Sequence, residues 1–530
     1  MNRAAFLILI LLATLRPGFG AMTIDLDQAT IADINAVFDA GTLTAQDLVQ
    51  LCLARIRSYD REEPSLHAIM TINPKAVETA RELDAERKAK GPRSALHGIP
   101  VVLKDNYNTA DMPTTGGSVL LEGSMPPADA FVVKKPRDAG AVILAKMNMS
   151  EFAAAGPHSS LGGQSLNPHD IKRSPAGSSG GTGVAIAAAY APLGMGTDTG
   201  GSIRGPSTAN GIVGLKPTHG LLSRSGIIPL SLTFDTGGPM ARSVNDVAVA
   251  LGAMTGIDPA DAATKKSEGK FSTDYAKDLK TDALKGARIG IARDFLGADP
   301  DVDWVIEASL DAMRKAGATI VDVRYPKWLL DSKLEFYNAI RMPEFAAQIK
   351  DYLATIGPNY PKTIEDMIDR ANRFTALRAD GAGPNPTRWA LFKREASSGS
   401  LEDYRYTSVR DYGLPLVRAA VEGLFTSEKL DAIVYPTSPR RPALLAALPD
   451  TAPASPTASA TSIANLTGFP DLIVPAGFTG DNLPVGISFF GLAFSEQKLL
   501  SLGYSFEQAT HARRRPVHAP ALKGESISVP

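Results

Sequence analysis

The sequence contains very little cysteine and histidine and has no excess of charge of either sign. Its 530 residues include one cysteine, Cys52, and seven histidines, and 55 basic against 56 acidic side chains give a formal net charge of −1. A single cysteine cannot form an intramolecular disulfide. A chain so close to neutral gives no reason to expect nucleic acid or an anionic membrane as a partner. Cys52 lies in step with the apolar positions of a predicted helix, so we interpret it as a buried core thiol rather than a catalytic one.

Two further patterns are missing. No histidine and cysteine residues cluster at the spacing of metal ligands, and no dinucleotide-binding fingerprint follows a predicted strand. Beyond the N-terminus, no run approaches the roughly 18 apolar residues that a membrane-spanning helix needs. We therefore expect no metal, no cofactor and no stable insertion into a membrane.

The N-terminus is the apolar exception. Arg3 precedes an apolar run over residues 4–15, which Pro17 and Gly18 interrupt, and Gly20 is a small residue at a suitable cleavage position. This pattern predicts a signal peptide over residues 1–20, and an uncleaved N-terminal anchor is the alternative. An exported protein without disulfides fits a periplasmic or secreted location.

Alternating strand and helix patterns fill the rest of the chain. They predict one large α/β domain over residues 21–530, with a mostly parallel central sheet flanked by helices. An N-terminal helical segment spans residues 25–92, and the core of the domain spans 95–330 and 426–512. Residues 330–425 are richer in charge and aromatics and are predicted to be a peripheral helical region that shapes a pocket.

Local signals place particular elements within this outline. Thr44 followed by Asp47 is a capping pair at the start of an amphipathic helix. The run Ile99–Leu103 is a short β-branched stretch that predicts a buried strand, and Lys104 lies at its end. A lysine in that place is usually part of a solvated turn, but burial would suit it to act as a neutral base because desolvation disfavours the ammonium form.

The stretch over residues 174–218 concentrates glycine and serine around an alanine-rich segment. Its apolar strand and helix patterns argue against a flexible linker. A phosphate cradle would need the lysine and serine or threonine of a P-loop, which are absent. Residues 177–181 match G-x-S-x-G with Ser179 as nucleophile, but no strand leads directly into them. A purely structural loop remains open at this point.

Three motifs decide between these alternatives. The segments "VVLKDN", "AGSSGGTG" and "GTDTGGSIRGPSTANGIVGLKPT" together resemble the amidase signature family, and the resemblance covers most of residues 30–510. Ala176 departs from the pattern, since many members have glycine there, but this change does not alter a hydroxyl group. The resemblance implies a single α/β/α domain built around a mixed sheet of many strands.

The resemblance also implies roles for individual residues. Ser202 would be the nucleophile, Ser178 would relay protons, and Lys104 would be the neutral base. The peptide bond between Gly177 and Ser178 would be cis. The developing oxyanion would be bound by the backbone N–H groups of Thr199, Gly200, Gly201 and Ser202.

Three neighbouring side chains are expected to support these groups. Ser179 would brace Lys104 or Ser178, with a helix N-cap as the alternative. Asp198 and Arg204 would form an ion pair that holds the segment carrying the nucleophile.

The implied activity is hydrolysis of a carboxamide C–N bond, with a peptide C-terminal amide or a small aryl or alkyl amide as substrate. Ester and carbamate hydrolysis are alternatives with the same triad. A glutamyl-tRNA amidotransferase A-type subunit would need partner subunits and a cytoplasmic location, which the signal-like N-terminus disfavours. A scaffold without activity is disfavoured by the intact Lys104, Ser178 and Ser202. We expect a monomer or homodimer without a nucleic acid partner.

Overall fold

The strands carry the elements that position the candidate site. A computed structural model describes residues 22–445 and 460–529, and the predicted signal peptide lies outside these residues. The strands are β1 Met22–Asp25, β2 Ile69–Ile72, β3 Pro100–Lys104, β4 Val142–Met147, β5 His158–Ser159, β6 Gly163–Gln164, β7 Leu193–Asp198, β8 Val213–Lys216, β9 Thr236–Ala241, β10 Arg288–Ala292, β11 Thr319–Val323, β12 Ala432–Pro436, β13 Asp471–Phe478, β14 Pro484–Phe490 and β15 Ser526–Val529.

The helices cover the sheet and extend away from it in the second half of the chain. They are α1 Ile31–Asp39, α2 Ala45–Ile56, α3 Ala76–Lys90, α4 Phe131–Asp138, α5 Gly180–Ala187, α6 Arg204–Ala209, α7 Val244–Met254, α8 Pro300–Lys315, α9 Lys327–Ala354, α10 Ile364–Arg373, α11 Pro386–Ala396, α12 Tyr404–Ser408, α13 Leu414–Glu428, α14 Ser462–Thr467 and α15 Glu496–Thr510. Within the described ranges, none of them combines the length and apolarity needed to cross a membrane.

The central sheet brings the ends of three strands together. Across the described residues it contains eleven strands in the order β11–β10–β12–β14–β13–β8–β9–β7–β3–β4–β2. Strand β3 runs parallel to both β4 and β7, so the carboxyl ends of these strands lie at the same edge. Lys104 ends β3 and Asp198 ends β7. The sheet thus places the predicted base beside the segment that carries the predicted nucleophile.

The predicted fold class is confirmed as a large mixed α/β domain, but the balance of strand directions differs from the expectation. Of the ten neighbouring pairs in the described sheet, β10–β11, β10–β12, β3–β4 and β3–β7 are parallel, and the other six are antiparallel. Five residues, 479–483, join β13 to β14. So short a connection permits only an antiparallel pair.

Local sequence signals predicted the first helices well. The Thr44 Oγ1 accepts a hydrogen bond from the Asp47 N–H at 3.0 Å, and the Asp47 carboxylate accepts one from the Thr44 N–H at 3.2 Å. This is the expected capping box of α2. Cys52 on the same helix is fully buried, and burial raises its pKa to about 12. The interpretation of Cys52 as a core thiol is therefore confirmed.

Helix α9 packs beside the edge of the sheet that carries the candidate site. Phe345 and Ile349 on this helix belong to an apolar cluster that also contains Phe152 and Ile228. Phe152 packs edge-to-face against Phe345, with ring centroids 6.3 Å apart. Since Phe152 follows β4 in the chain, the packing connects α9 to the loop that leaves the sheet next to Lys104.

Candidate active site

Lys104 is a buried amine with polar neighbours. Its side chain is fully buried, and Nζ lies 2.7 Å from both the Ser178 Oγ and the Thr197 Oγ1. Burial lowers the pKa of Lys104 from 10.5 to about 7, although the carboxylates of Asp198 and Asp235 act in the opposite direction. A substantial fraction of this amine is therefore neutral near pH 7, and a neutral amine can accept a proton.

Ser178 lies two residues before the start of helix α5 and contacts the loop that carries Ser150. The Gly177–Ser178 peptide bond is cis, as the resemblance implied. The Ser178 carbonyl accepts a hydrogen bond from the Ser150 N–H at 3.0 Å. A Cβ added at Gly177 would overlap the Ser150 Oγ. Only glycine therefore fits at position 177 while Ser150 keeps its place.

Ser202 and the preceding residues form the loop after β7. The Ser202 carbonyl accepts a hydrogen bond from the Ser179 N–H at 3.2 Å, which brings the two serine segments together. Gly201 differs from the prediction, because its N–H donates to the Asp198 Oδ1 at 2.9 Å and is not available to an oxyanion. Among the described residues, the N–H groups of Gly200 and Ser202 have no such partner.

The predicted ion pair between Asp198 and Arg204 is present and fully buried, with 2.9 Å between Oδ1 and Nη2. Asp198 also accepts hydrogen bonds from the Ile203 and Gly201 N–H groups. The guanidinium of Arg204 holds the pKa of Asp198 well below its usual range, although burial alone would raise it. The pair is suited to fix the segment that carries Ser202, because each carboxylate oxygen binds both the arginine and a backbone N–H of that segment.

Ser179 is not placed as a nucleophile. Its side chain is fully buried, and its Oγ donates to the Thr197 carbonyl at 3.2 Å and accepts from the Thr197 N–H at 3.3 Å. It occupies the N-cap position of α5 without making a side-chain cap. Ser179 thus connects the segment carrying Ser178 to β7. In the described ranges, no three His, Cys, Asp or Glu side chains are grouped to hold a metal ion.

Sequence reasoning missed four side chains that contact these groups. Thr197 hydrogen-bonds Lys104, and the Asn106 Nδ2 donates to the Thr197 Oγ1 at 3.0 Å. Asp235 accepts a short hydrogen bond from the Thr199 hydroxyl. Asp471 makes a second ion pair with Arg204, at 2.9 Å. The only sequence signal was that Asn106 and Thr197 lie within the motifs "VVLKDN" and "GTDTGG".

A buried lysine next to a serine, with a second serine on the adjoining loop, is the arrangement of an amide-hydrolysing enzyme of the serine class. A family model described as Amidase matches residues 47–500. The chain therefore belongs to the amidase family, and it is an enzyme, an amidase.

Individual relatives are similar over nearly the whole chain. A peptide amidase solved with the competitive inhibitor chymostatin is 38% identical, with a TM-score of 0.83, covering 92% of this chain and 99% of that one. Native peptide amidase from Stenotrophomonas maltophilia is 37% identical, with a TM-score of 0.82, covering 93% and 99%. The A-type subunit of glutamyl-tRNA(Gln) amidotransferase from Halorhodospira halophila is 34% identical over 489 residues, covering 91% of this chain and 97% of the relative.

The last of these relatives corrects two expectations. The prediction of a monomer or homodimer without nucleic acid is wrong, because relatives along almost the whole chain are named as subunits of a glutamyl-tRNA amidotransferase. Net charge alone was a poor guide to partners, since binding depends on how charge is distributed over a surface and not on its sum. The periplasmic or secreted location is contradicted by the same names, because tRNA functions where translation takes place. An apolar run alone does not identify export.

Proposed function

We propose that this enzyme hydrolyses a carboxamide through an acyl-enzyme on Ser202, with Ser178 as proton relay and Lys104 as base. The observation that carries the proposal is the fully buried Lys104 amine 2.7 Å from the Ser178 Oγ. Without that amine, a serine hydroxyl is a poor nucleophile at neutral pH.

The contact between Lys104 and Ser178 supports the following proton movements. Ser178 gives its hydroxyl proton to the neutral Lys104 amine and takes the proton of Ser202, whose Oγ then bonds to the carbonyl carbon. The electron pair of the C=O bond moves onto oxygen, which the free N–H groups of Gly200 and Ser202 can bind. When the C–N bond breaks, the leaving nitrogen takes a proton from Ser178, and Lys104 returns its proton to Ser178. Water then attacks the acyl carbon by the same steps.

We further propose that the acyl group is peptidic. A cleft of about 930 Å³ is lined in part by Ala176 and Gly205, which are two residues before Ser178 and three after Ser202 in the chain. Ligand pockets of several hundred Å³ accommodate groups much larger than a small aliphatic amide. The similarity to peptide amidases over 92% of the chain supports the same substrate class.

A substrate screen tests this assignment. Purified enzyme is given peptide C-terminal amides, fatty amides, aryl amides, esters and carbamates at equal concentration, and Ser202→Ala is the matched control. Ammonia release is the measurement for primary amides, and mass spectrometry detects the acyl group on Ser202. We expect the highest kcat/KM for peptide amides. A higher kcat/KM for carbamates, esters or fatty amides than for any peptide amide would contradict the proposal.

A second function is favoured by a specific observation, which is the 34% identity to an amidotransferase subunit over 97% of its length. In that case the same site would release ammonia from an amide donor for transfer to glutamyl-tRNA. The test is to combine this chain with the other subunits of a relative's amidotransferase, and to measure amidation of glutamyl-tRNA with glutamine as donor. Glutamine-dependent product formation that Ser202→Ala abolishes would support this function over peptide amide hydrolysis.

A further inference from the structure

A small enclosed cavity adjoins the polar groups around Lys104. Thr197 and Asn106 line it, together with Thr199, Asp235 and Thr236, and most of the remaining lining is apolar. Its volume is about 10 Å³ for the centre of a water molecule, close to the smallest space that holds one. The cavity is therefore the size of a single small polar molecule.

Asn106 presents an unmatched polar atom at this cavity. The residue is 2% exposed, and its Nδ2 donates to the Thr197 Oγ1 at 3.0 Å. Its Oδ1 is buried and has no hydrogen-bond partner within residues 22–445 and 460–529. Turning the amide over would only exchange which of its two atoms lacks a partner. Buried amide groups normally have partners, so a molecule that can hydrogen-bond is expected next to Asn106.

Asp235 supplies a second acceptor. Its Oδ2 accepts hydrogen bonds from the Leu230 and Ser231 N–H groups at 2.9 and 3.0 Å, whereas its Oδ1 accepts only from the Thr199 hydroxyl. An ionised carboxylate oxygen has room for about two donors. Within the described ranges, Asp235 makes no ion pair, because the nearby Arg224 pairs with Asp261. The negative charge of Asp235 is therefore not neutralised by an ion pair and can favour the protonated form of Lys104.

We infer that the cavity binds one water molecule between Asn106 and Asp235, and that Asp235 is a positioning residue for Lys104 and for the loop that carries Ser202. The inference rests on the proposed roles of Lys104 and Ser202. The water donates one hydrogen to the Asn106 Oδ1 and the other to the Asp235 Oδ1. The unmatched Asn106 Oδ1 then has a partner, the Asp235 Oδ1 gains a second donor, and the carboxylate is fixed where it stabilises a proton on the lysine.

The charges around these groups set the sign of the effect. The carboxylates of Asp198 and Asp235 both favour the protonated amine of Lys104, but Asp198 is also paired with Arg204. Burial raises the pKa of Asp235 to about 6, while the Thr199 hydroxyl and the charge of Arg224 lower it. Asp235 is therefore mostly ionised above pH 7. Removing its charge should release the proton from Lys104 at a lower pH.

The water is tested by crystallography at about 1.5 Å, with the wild-type enzyme and with Ser202→Ala. We expect an ordered water within hydrogen-bond distance of Asn106 and Asp235 in both crystals. A cavity without density, or one closed by a side chain, would overturn this part of the inference. The result does not depend on turnover, so it stands apart from a failure of the proposed function, which would appear as an active Lys104→Ala enzyme.

The positioning role is tested by the pH dependence of fluorophosphonate labelling at Ser202. For Asp235→Asn we expect the midpoint to fall by about 0.5–1 pH unit. Asp246→Asn is the matched control, because Asp246 is likewise a buried carboxylate, lies on α7 and accepts a hydrogen bond from the Ile31 N–H at the start of α1. Its midpoint should not move. An unmoved midpoint in Asp235→Asn of normal melting temperature would refute the role.

A second pair of variants keeps the test decisive if Asp235→Asn does not fold. Thr199→Val removes the hydroxyl that donates to Asp235, which raises the pKa of the carboxylate and leaves less of it ionised near pH 7. The midpoint for labelling should then fall in the same direction by a smaller amount, and Thr199→Ser should restore it. If Thr199→Val and Thr199→Ser both keep the wild-type midpoint, Asp235 does not act on Lys104.

Discussion

The pH dependence of Lys104 is the most direct consequence of the structure. A lysine with the ordinary pKa of 10.5 has about one neutral amine in three thousand at pH 7, whereas a pKa of about 7 leaves about half of it neutral. Burial thus increases the amount of usable base about a thousandfold. Because only the neutral amine accepts a proton, the reactivity of Ser202 should rise as pH passes through 7 and reach a plateau above about pH 9.

Fluorophosphonate labelling of Ser202 measures this reactivity without knowledge of the substrate. We expect a half-maximal rate near pH 7 and a rate about 100-fold below the plateau at pH 5, where roughly one amine in a hundred is neutral. Lys104→Ala should lower the plateau by about 10²–10⁴-fold, the usual contribution of general base catalysis. Lys104→Arg should not restore it, because arginine stays protonated.

A histidine would give a similar midpoint, so the assay needs a control for it. His158 is half-buried close to the loop that holds Ser178, and burial lowers its pKa. His158→Gln should leave the midpoint where it is. If folded Lys104→Ala enzyme labels at the wild-type rate, or if its pH limb persists while His158→Gln removes it, the assignment of Lys104 as base is refuted.

Three further predictions follow from the same contacts. Lys104→Met should raise the free energy of unfolding by about 2 kcal/mol or more at pH 7, because lysine is fully protonated in the unfolded chain but only partly protonated when buried. Urea unfolding measures this gain, which should disappear as the pH approaches 10.5. Arg204→Met should lower the free energy of unfolding by about 3–5 kcal/mol, since it leaves Asp198 buried without its partner. The melting temperature should fall accordingly, and an unchanged melting temperature would contradict this prediction. A Cβ at Gly200 would lie 2.8 Å from the Tyr337 hydroxyl, so Gly200→Ala should lower kcat. Adding Tyr337→Phe to Gly200→Ala should restore most of the lost kcat, whereas Tyr337→Phe in the wild-type enzyme should not raise kcat.

Much of the site could be predicted because its residues lie in short segments with strong local signals. The strand expected over Ile99–Leu103 is β3, Pro100–Lys104, and its apolar run placed Lys104 at the end of a buried strand, whereas the role of Lys104 came from the resemblance. Glycines around Ser178 and Ser202 likewise indicated close backbone approach. The fold class followed from the alternation of strands and helices, but strand direction did not, because a strand pattern is the same in either direction.

The missed residues have a different physical character. Asp235 contacts Thr199 across 36 positions of sequence, and Asp471 contacts Arg204 across 267. Such contacts depend on how strands are ordered in the sheet, which no local pattern contains. An aspartate in a loop before a strand is usually solvated, so nothing about Asp235 in the sequence alone distinguished it from a surface residue.

The burial of the proposed catalytic groups separates them from the surface that would select a substrate. Lys104, Asp198 and Arg204 are fully buried, so their mutual geometry does not depend on what binds at the surface. Ala176 and Gly205 instead line an open cleft, which the proposed function assigns to the substrate, so substitutions there should alter substrate binding and leave the proposed proton relay unchanged. Exchanging cleft residues with those of a peptide amidase should therefore change KM and substrate preference, while the pH midpoint set by Lys104 stays the same. A shift of that midpoint on such an exchange would mean that the cleft and the base are not independent.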